Sequence, residues 1–258
     1  MKLTTFILCV FFLYKVNLFA QVADSTKIKE LEKIRTQSGV DPTRVNSKAS
    51  YSFLIYDPQV SPGQINNRVT VNLGVKRWSF TAKSDIISKL STEPGSGFSS
   101  AAGDIKFSVL NAFFVKGKNA LAGSAELSMP TGKPGYGSQY LSLTPSITYA
   151  YTINPSLFFA LQPQYTFHLM KDSIYPNLSV LTIRAFLAKF TKTGYFFVIE
   201  PRPIFDFGND NFDFIVSPII GKALGAGFNL IYLMEIPTKA ATLDSKGILY
   251  QFGINKSF

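Results

Sequence analysis

Cysteine, histidine and tryptophan each occur once in 258 residues, as Cys9, His168 and Trp78. With Cys9 inside an N-terminal leader, the mature chain has no cysteine, which excludes a disulfide framework and thiolate chemistry. A single histidine and carboxylates scattered over many segments give no metal-ligand spacing. Charge is also sparse, at 16% of residues against 46% hydrophobic ones, with 24 Phe and 12 Tyr. Yet no stretch after the leader reads as a hydrophobic helix of about twenty residues. A chain this aromatic without membrane helices is either a large soluble β-protein or a membrane barrel. The formal charge is +10, with Lys2 and Lys15 in the leader. Basic balance often marks nucleic-acid binding. Here the basic residues do not cluster with aromatics on one face and the chain is exported, so anionic lipid headgroups are the more natural partner and nucleic acid is not expected.

The leader covers residues 1–20. Lys2 gives the positive start, Phe6 to Leu13 the apolar run, and Leu18-Phe19-Ala20 precedes Gln21, which places a cleavage site after Ala20. The run is too short to span a bilayer, so it reads as a secretory signal peptide. Residues 21–48 form an N-terminal periplasmic leader with one helix over 24–37. There Ile28, Leu31 and Ile34 recur at helical spacing, Asp24 or Ser25 caps the start and Gly39 follows the end. That helix is read first as a solvated, partly frayed segment, with a short plug or a periplasmic contact helix as the functional alternative.

Residues 49–258 read as an antiparallel up-and-down transmembrane β-barrel. Twelve alternating segments fall near 49–56, 66–75, 77–87, 103–115, 119–130, 139–151, 157–170, 178–190, 194–207, 212–223, 227–237 and 246–258. Leu157, Phe159, Leu161, Tyr165, Phe167 and Leu169 oppose Ala160, Gln162, Gln164, Thr166 and His168, a period of two that separates a hydrocarbon face from a luminal one. Aromatics gather at strand ends, as interfacial girdles require. Short links such as Lys76-Arg77 and Asn154-Pro155 alternate with longer ones such as 88–102 and 131–138. With twelve strands, both termini fall on the short-turn, periplasmic side. Pro145, Pro163, Pro201, Pro203 and Pro218 lie in mid-strand on the lipid face, where they cannot donate to the ladder; bulges or ladder breaks are expected there.

The last segment alternates Ile248, Tyr250, Phe252 and Ile254 with Gln251, Gly253, Asn255 and Ser257, and ends on Phe258. It resembles the C-terminal signal of bacterial outer-membrane barrels, which implies the barrel-assembly machinery as a partner; Lys256 departs from that pattern and fits the headgroup level. At Gly103-Asp104-Ile105-Lys106 and Leu127-Ser128-Met129-Pro130-Thr131-Gly132 the chain also resembles the outer-membrane family named for the meta-pathway of phenol degradation. The resemblance runs from about residue 64 to the C-terminus. It implies a barrel of about this strand number that serves as a channel or transporter for passive passage or capture of small hydrophobic or aromatic molecules; the barrel is read as a monomer. A closed structural or adhesive barrel is the alternative, and a rim lipid hydrolase the third.

The inner face receives Arg68, Lys83, Asp85, Asp104, Lys106, Glu126, His168, Arg184, Glu200, Arg202, Asp206, Asp213 and Glu235. Both signs are present, so ion pairs across the lumen are expected rather than a single-sign filter. The large inward residues Phe158, Phe186, Phe196, Ile231 and Leu233 suit either a filled interior or an apolar solute. Outer-membrane lipases and lipid A deacylases are the hydrolase class to exclude: those families use a histidine and a serine two residues apart on one strand, and here Thr166 and Met170 flank His168 instead. The run Thr131-Gly132-Lys133-Pro134-Gly135-Tyr136-Gly137 carries proline and has no following helix, so it reads as a surface turn and not a phosphate loop. No catalytic residue, cofactor or metal is expected.

Overall fold

A computed structural model describes residues 25–57, 63–90, 97–239 and 247–258. The leader of residues 1–20 and the Asp24 cap lie outside the described residues. Among the described residues the chain forms one helix, α1 (Ser25–Ser38), and thirteen strand segments. These are β1 (Lys48–Tyr56), β2 (Gln64–Val75), β3 (Trp78–Leu90), β4 (Phe98–Ala102), β5 (Ile105–Lys116), β6 (Asn119–Met129), β7 (Tyr140–Asn154), β8 (Leu157–Lys171), β9 (Ser179–Phe190), β10 (Tyr195–Asp206), β11 (Asn211–Gly225), β12 (Phe228–Pro237) and β13 (Leu249–Ser257). Both β4 and β5 pair with β3, so together they make one interrupted stave, and the barrel has twelve.

Each stave pairs antiparallel with its chain neighbours, and the ring closes where β1 lies between β13 and β2, with Lys48 opposite Ser257 and Tyr56 opposite Leu249. Closure leaves no edge, which is the condition for strands in hydrocarbon. The alternation sorts as the pleat demands: Phe197, Ile199, Phe252 and Ile254 are exposed on the outer wall, whereas Phe196, Val198, Asn255 and Ser257 are buried inside.

The five prolines are accommodated by ladder gaps without any change of register. Pairing between β9 and β10 stops at Ile199↔Leu187 and resumes at Ile204↔Thr182, skipping Pro201 and Pro203, while β10 stays paired with β11 throughout. The ladder between β11 and β12 skips Pro218 between Val216↔Ile236 and Ile219↔Leu233. Pro145 and Pro163 sit beside gaps between β7 and β8 and keep their other partners, Ala125 and Ile183. In an antiparallel strand a residue bonds to one side only, so each proline costs one ladder and spares the other. Register shifts do occur, at 111/114, 152/154 and 223/225 among others, all away from the prolines.

The interior is filled at the short-turn end. Leu31 and Ile34 of α1 pack with Phe158, Phe186, Phe190, Phe196, Val198 and Ile219 in one buried cluster. Gly221 makes room for this packing, because a Cβ there would enter the Phe196 ring. The helix expected as a periplasmic leader therefore lies within the mouth of the barrel, and the large inward residues form its socket.

Candidate functional site: a stoppered lumen

The stopper is held by polar bonds as well as by the socket. Helices end with unsatisfied carbonyls, and here the wall supplies donors to them. Asn46 Nδ2 donates to Thr36 O (2.9 Å), Asn229 Nδ2 and Ser257 Oγ donate to Gln37 O (3.2 and 3.0 Å), and Asn255 Nδ2 donates to Ser38 O (3.4 Å). Gly39, at φ 68°, turns the chain out of the helix. Arg35 is 2% exposed; it donates to Asp41 through Nε (2.6 Å) and to Thr152 Oγ1 through Nη1 (2.8 Å), and its guanidinium lies 4.2 Å from the Phe158 ring centroid. Arg44 bridges back to Glu32 at 3.0 Å. None of Asn46, Thr152, Asn229, Asn255 or Ser257 stood out as a site residue in the sequence. Small polar residues at inward positions fit a wet lumen equally well, so these residues carried no distinguishing signal.

Above the stopper lies a chamber of about 500 Å³. One side, on β1, β2, β3 and β5, is lined by hydroxyls, amides and cations such as Ser52, Thr70, Asn72, Thr81 and Lys83; the other exposes Phe186, Ile219, Ile231 and Leu233. Three ion-pair groups brace it. Arg68 and Asp85, opposite each other on β2 and β3, form a two-pronged pair (2.7 and 2.8 Å). Lys83 reaches past β5 to Glu126 on β6 (2.8 Å). The third group centres on Glu200, which is 0% exposed. Its Oε1 accepts from Arg184 Nε (2.6 Å) and Arg202 Nε (3.0 Å), its Oε2 from Arg184 Nη2 (3.1 Å), and Arg202 Nη1 continues to Glu235 (2.9 Å). That last bond crosses β11, whose inward residue at this level is the small, fully buried Ser217.

At the long-loop end a vestibule of about 360 Å³ is lined by Arg68, Asp85, Asp104, Lys106 and the 135–138 loop. Asp104 belongs to this rim and not to the chamber. Its carboxylate accepts from Gly132 N (3.1 Å), Ser138 N (2.7 Å) and Ser138 Oγ (2.6 Å), and Thr131 Oγ1 accepts from Ile105 N (2.9 Å). The two stretches that carry the family resemblance thus meet in one clamp, which also explains the break between β4 and β5. Asp104→Ala is expected to release the 131–138 loop. Amide exchange at Gly132 and Ser138 should accelerate at least about tenfold, the size of one lost charge-assisted bond; unchanged exchange would show that the clamp is dispensable.

The remaining inward candidates are spent locally. Asp206 accepts from Gly208 N and Asn209 N (3.0 and 3.1 Å) in the turn after β10, so it is a turn residue rather than a luminal one. Asp213 accepts from the N–H of Phe214 (2.8 Å). His168 Nδ1 lies 3.2 Å from Leu178 N, and the Thr166 hydroxyl bonds to Thr144 at 2.9 Å, so the two do not pair. Among the described residues no group of His, Cys, Asp and Glu is arranged to hold a metal ion.

The architecture is that of a porin-like twelve-stave barrel. Among solved structures the chain is similar to "NanC porin" (8% identity, TM-score 0.63, covering 82% of this chain and 100% of that chain) and to "KdgM porin" (9%, 0.59, 82% and 99%). It is also similar to an "outer membrane channel from Pseudomonas putida F1" (10%, 0.60, 83% and 96%). At these identities the likeness is one of fold. No family model matches the chain, and no curated protein matches it in sequence.

Proposed function

We propose that this protein is an outer-membrane channel for small solutes, stoppered at its periplasmic end by its own N-terminal helix. The observation that carries the reading is the chain of spaces along the axis. Arg68 lines both the vestibule and the chamber, and Arg44 and Asn46 line both the chamber and the space beside α1. A barrel kept only for its outer surface would need no such series. The two-sided chamber fits a small molecule with polar groups and an apolar or aromatic body, in line with the resemblance to the phenol meta-pathway family. The exposed ring of Phe258, whose N–H is tied to Ser47 O at 3.0 Å, supports recognition of the last strand by the assembly machinery. The closed-barrel reading is favoured by one observation, the burial of α1 in its socket. Liposome swelling with the purified protein separates the two. Uptake of sugars or small aromatic acids above protein-free vesicles is expected, and no uptake of any solute, with or without α1, would overturn the channel reading.

A further inference from the structure

The two rims of the barrel differ in charge. At the short-turn end, Lys76 and Arg77 follow β2, Lys116 and Lys118 flank the turn after β5, Lys189 and Lys192 border the turn after β9, and Lys222 and Lys256 point outward from β11 and β13. Among the described residues of these strand ends and turns there is no Asp or Glu. The long-loop rim, by contrast, is mixed: Asp57, Asp104, Asp172, Asp206 and Asp210 stand alongside Lys89, Lys133, Lys171 and Lys239. The short-turn cations sit against aromatic rings: Lys222 Nζ lies 3.7 Å from the Tyr195 centroid and Lys256 Nζ 4.3 Å from that of Phe228. Below Lys222 the outer wall holds an apolar groove of about 570 Å³, lined by Tyr195, Leu230, Tyr232, Phe252 and Ile254.

We infer that the short-turn rim is a seat for anionic phospholipid, with the phosphate and acidic headgroup on the lysines and an acyl chain in the groove under Lys222. A cation beside an apolar groove and an aromatic ring matches all three parts of such a lipid: charge, chain and interface. Neutral lipid would leave eight cations uncompensated in a thin layer, and a soluble acidic partner would have no use for the groove. This rests on the membrane-barrel reading but not on solute passage, so a barrel without flux still tests it.

Trp78, the only tryptophan, lies 48% exposed on the same rim beside Arg77 and serves as the probe. The full chain is placed in phosphatidylcholine vesicles containing phosphatidylglycerol, with bromine carried on one lipid or on the other at equal fraction. Brominated phosphatidylglycerol is expected to occupy the Trp78 shell about fivefold more readily, the attraction of roughly one basic side chain for an anionic surface. The preference should shrink in high salt and vanish in K76Q/R77Q/K116Q/K118Q. In native mass spectra, wild type should retain phosphatidylglycerol over phosphatidylcholine and K189Q/K192Q/K222Q/K256Q should not. Heat-modifiable gel mobility verifies that the variants fold. Equal quenching by both lipids, or equal loss of preference when the long-loop Lys133 and Lys239 are changed instead, would overturn the assignment.

Discussion

Deleting residues 25–38 is expected to raise the single-channel conductance of the reconstituted barrel at least about tenfold, because the segment removed is what fills the bore at one end. The helix takes part in no strand pairing, so the ring should close without it. Its hold is strong: Leu31 and Ile34, each 7% exposed, contribute about 1.5–3 kcal/mol apiece by burial. The donors from Asn46, Asn229 and Ser257 to the last-turn carbonyls add net bonds of about 1 kcal/mol each. Leu31→Asp together with Ile34→Asp should reproduce the deletion in the full-length chain, since carboxylates cannot stay ionised among Phe158, Phe190 and Phe196 without a partner. In both variants the cooperative unfolding of the barrel should remain. If conductance stayed at the wild-type level while folding was intact, the constriction would lie higher, at the Glu200 cluster or at the loop that Asp104 holds.

That experiment bears on what the amino-acid order could disclose. The staves were legible because a pleat has a period of two, and segments such as Tyr250 to Asn255 keep it without a lapse. Strand ends were less so: β3 runs on to Leu90, beyond the alternation read at 77–87, and the stave at 103–115 has an earlier piece at Phe98–Ala102. The cause is Asp104, whose carboxylate folds a loop thirty residues away and thereby interrupts its own strand, a long-range demand that no local pattern carries. The helix was legible from Ile28, Leu31 and Ile34, but its destination was not, because the socket is assembled from residues of several staves, β8 to β11 chief among them, that are far from the helix in the chain. Phe158, Phe186 and Phe196 were visible as misfits on a luminal face, and the misfit was the trace of α1. Ion-pair partners divide in the same way. Arg68 with Asp85 follows from hairpin register, whereas Arg202 with Glu235 depends on Ser217 leaving space between them.

The Glu200 cluster gives the second large effect. Carrying the register of Ile199↔Leu187 and Ile204↔Thr182 through the proline gap sets Arg184 opposite Arg202. Two like charges face to face destabilise a strand pair, and Glu200 lies between them as the shared counter-charge. Glu200→Ala is therefore expected to cost about 3 kcal/mol in urea unfolding from vesicles, near the low end for breaking a buried pair. The low end applies because the Arg184 and Arg202 side chains are 32% and 15% exposed and Arg202 keeps Glu235. The loss of one negative charge, which leaves Arg184 without a carboxylate partner, should also shift the reversal potential in a salt gradient towards anion preference, most clearly in the background without α1. Arg202→Ala should cost less, about 1–2 kcal/mol, since Glu200 retains the two-pronged bond from Arg184 while Glu235 loses its partner. Adding Arg202→Ala to Glu200→Ala removes one half of the repulsion, so the double variant should be more stable than the sum of the single losses predicts. Additive losses, or a Glu200→Ala barrel as stable and as unselective as wild type, would show that the three side chains meet without being energetically coupled, and that the ladder gap at Pro201 and Pro203 is tolerated for other reasons.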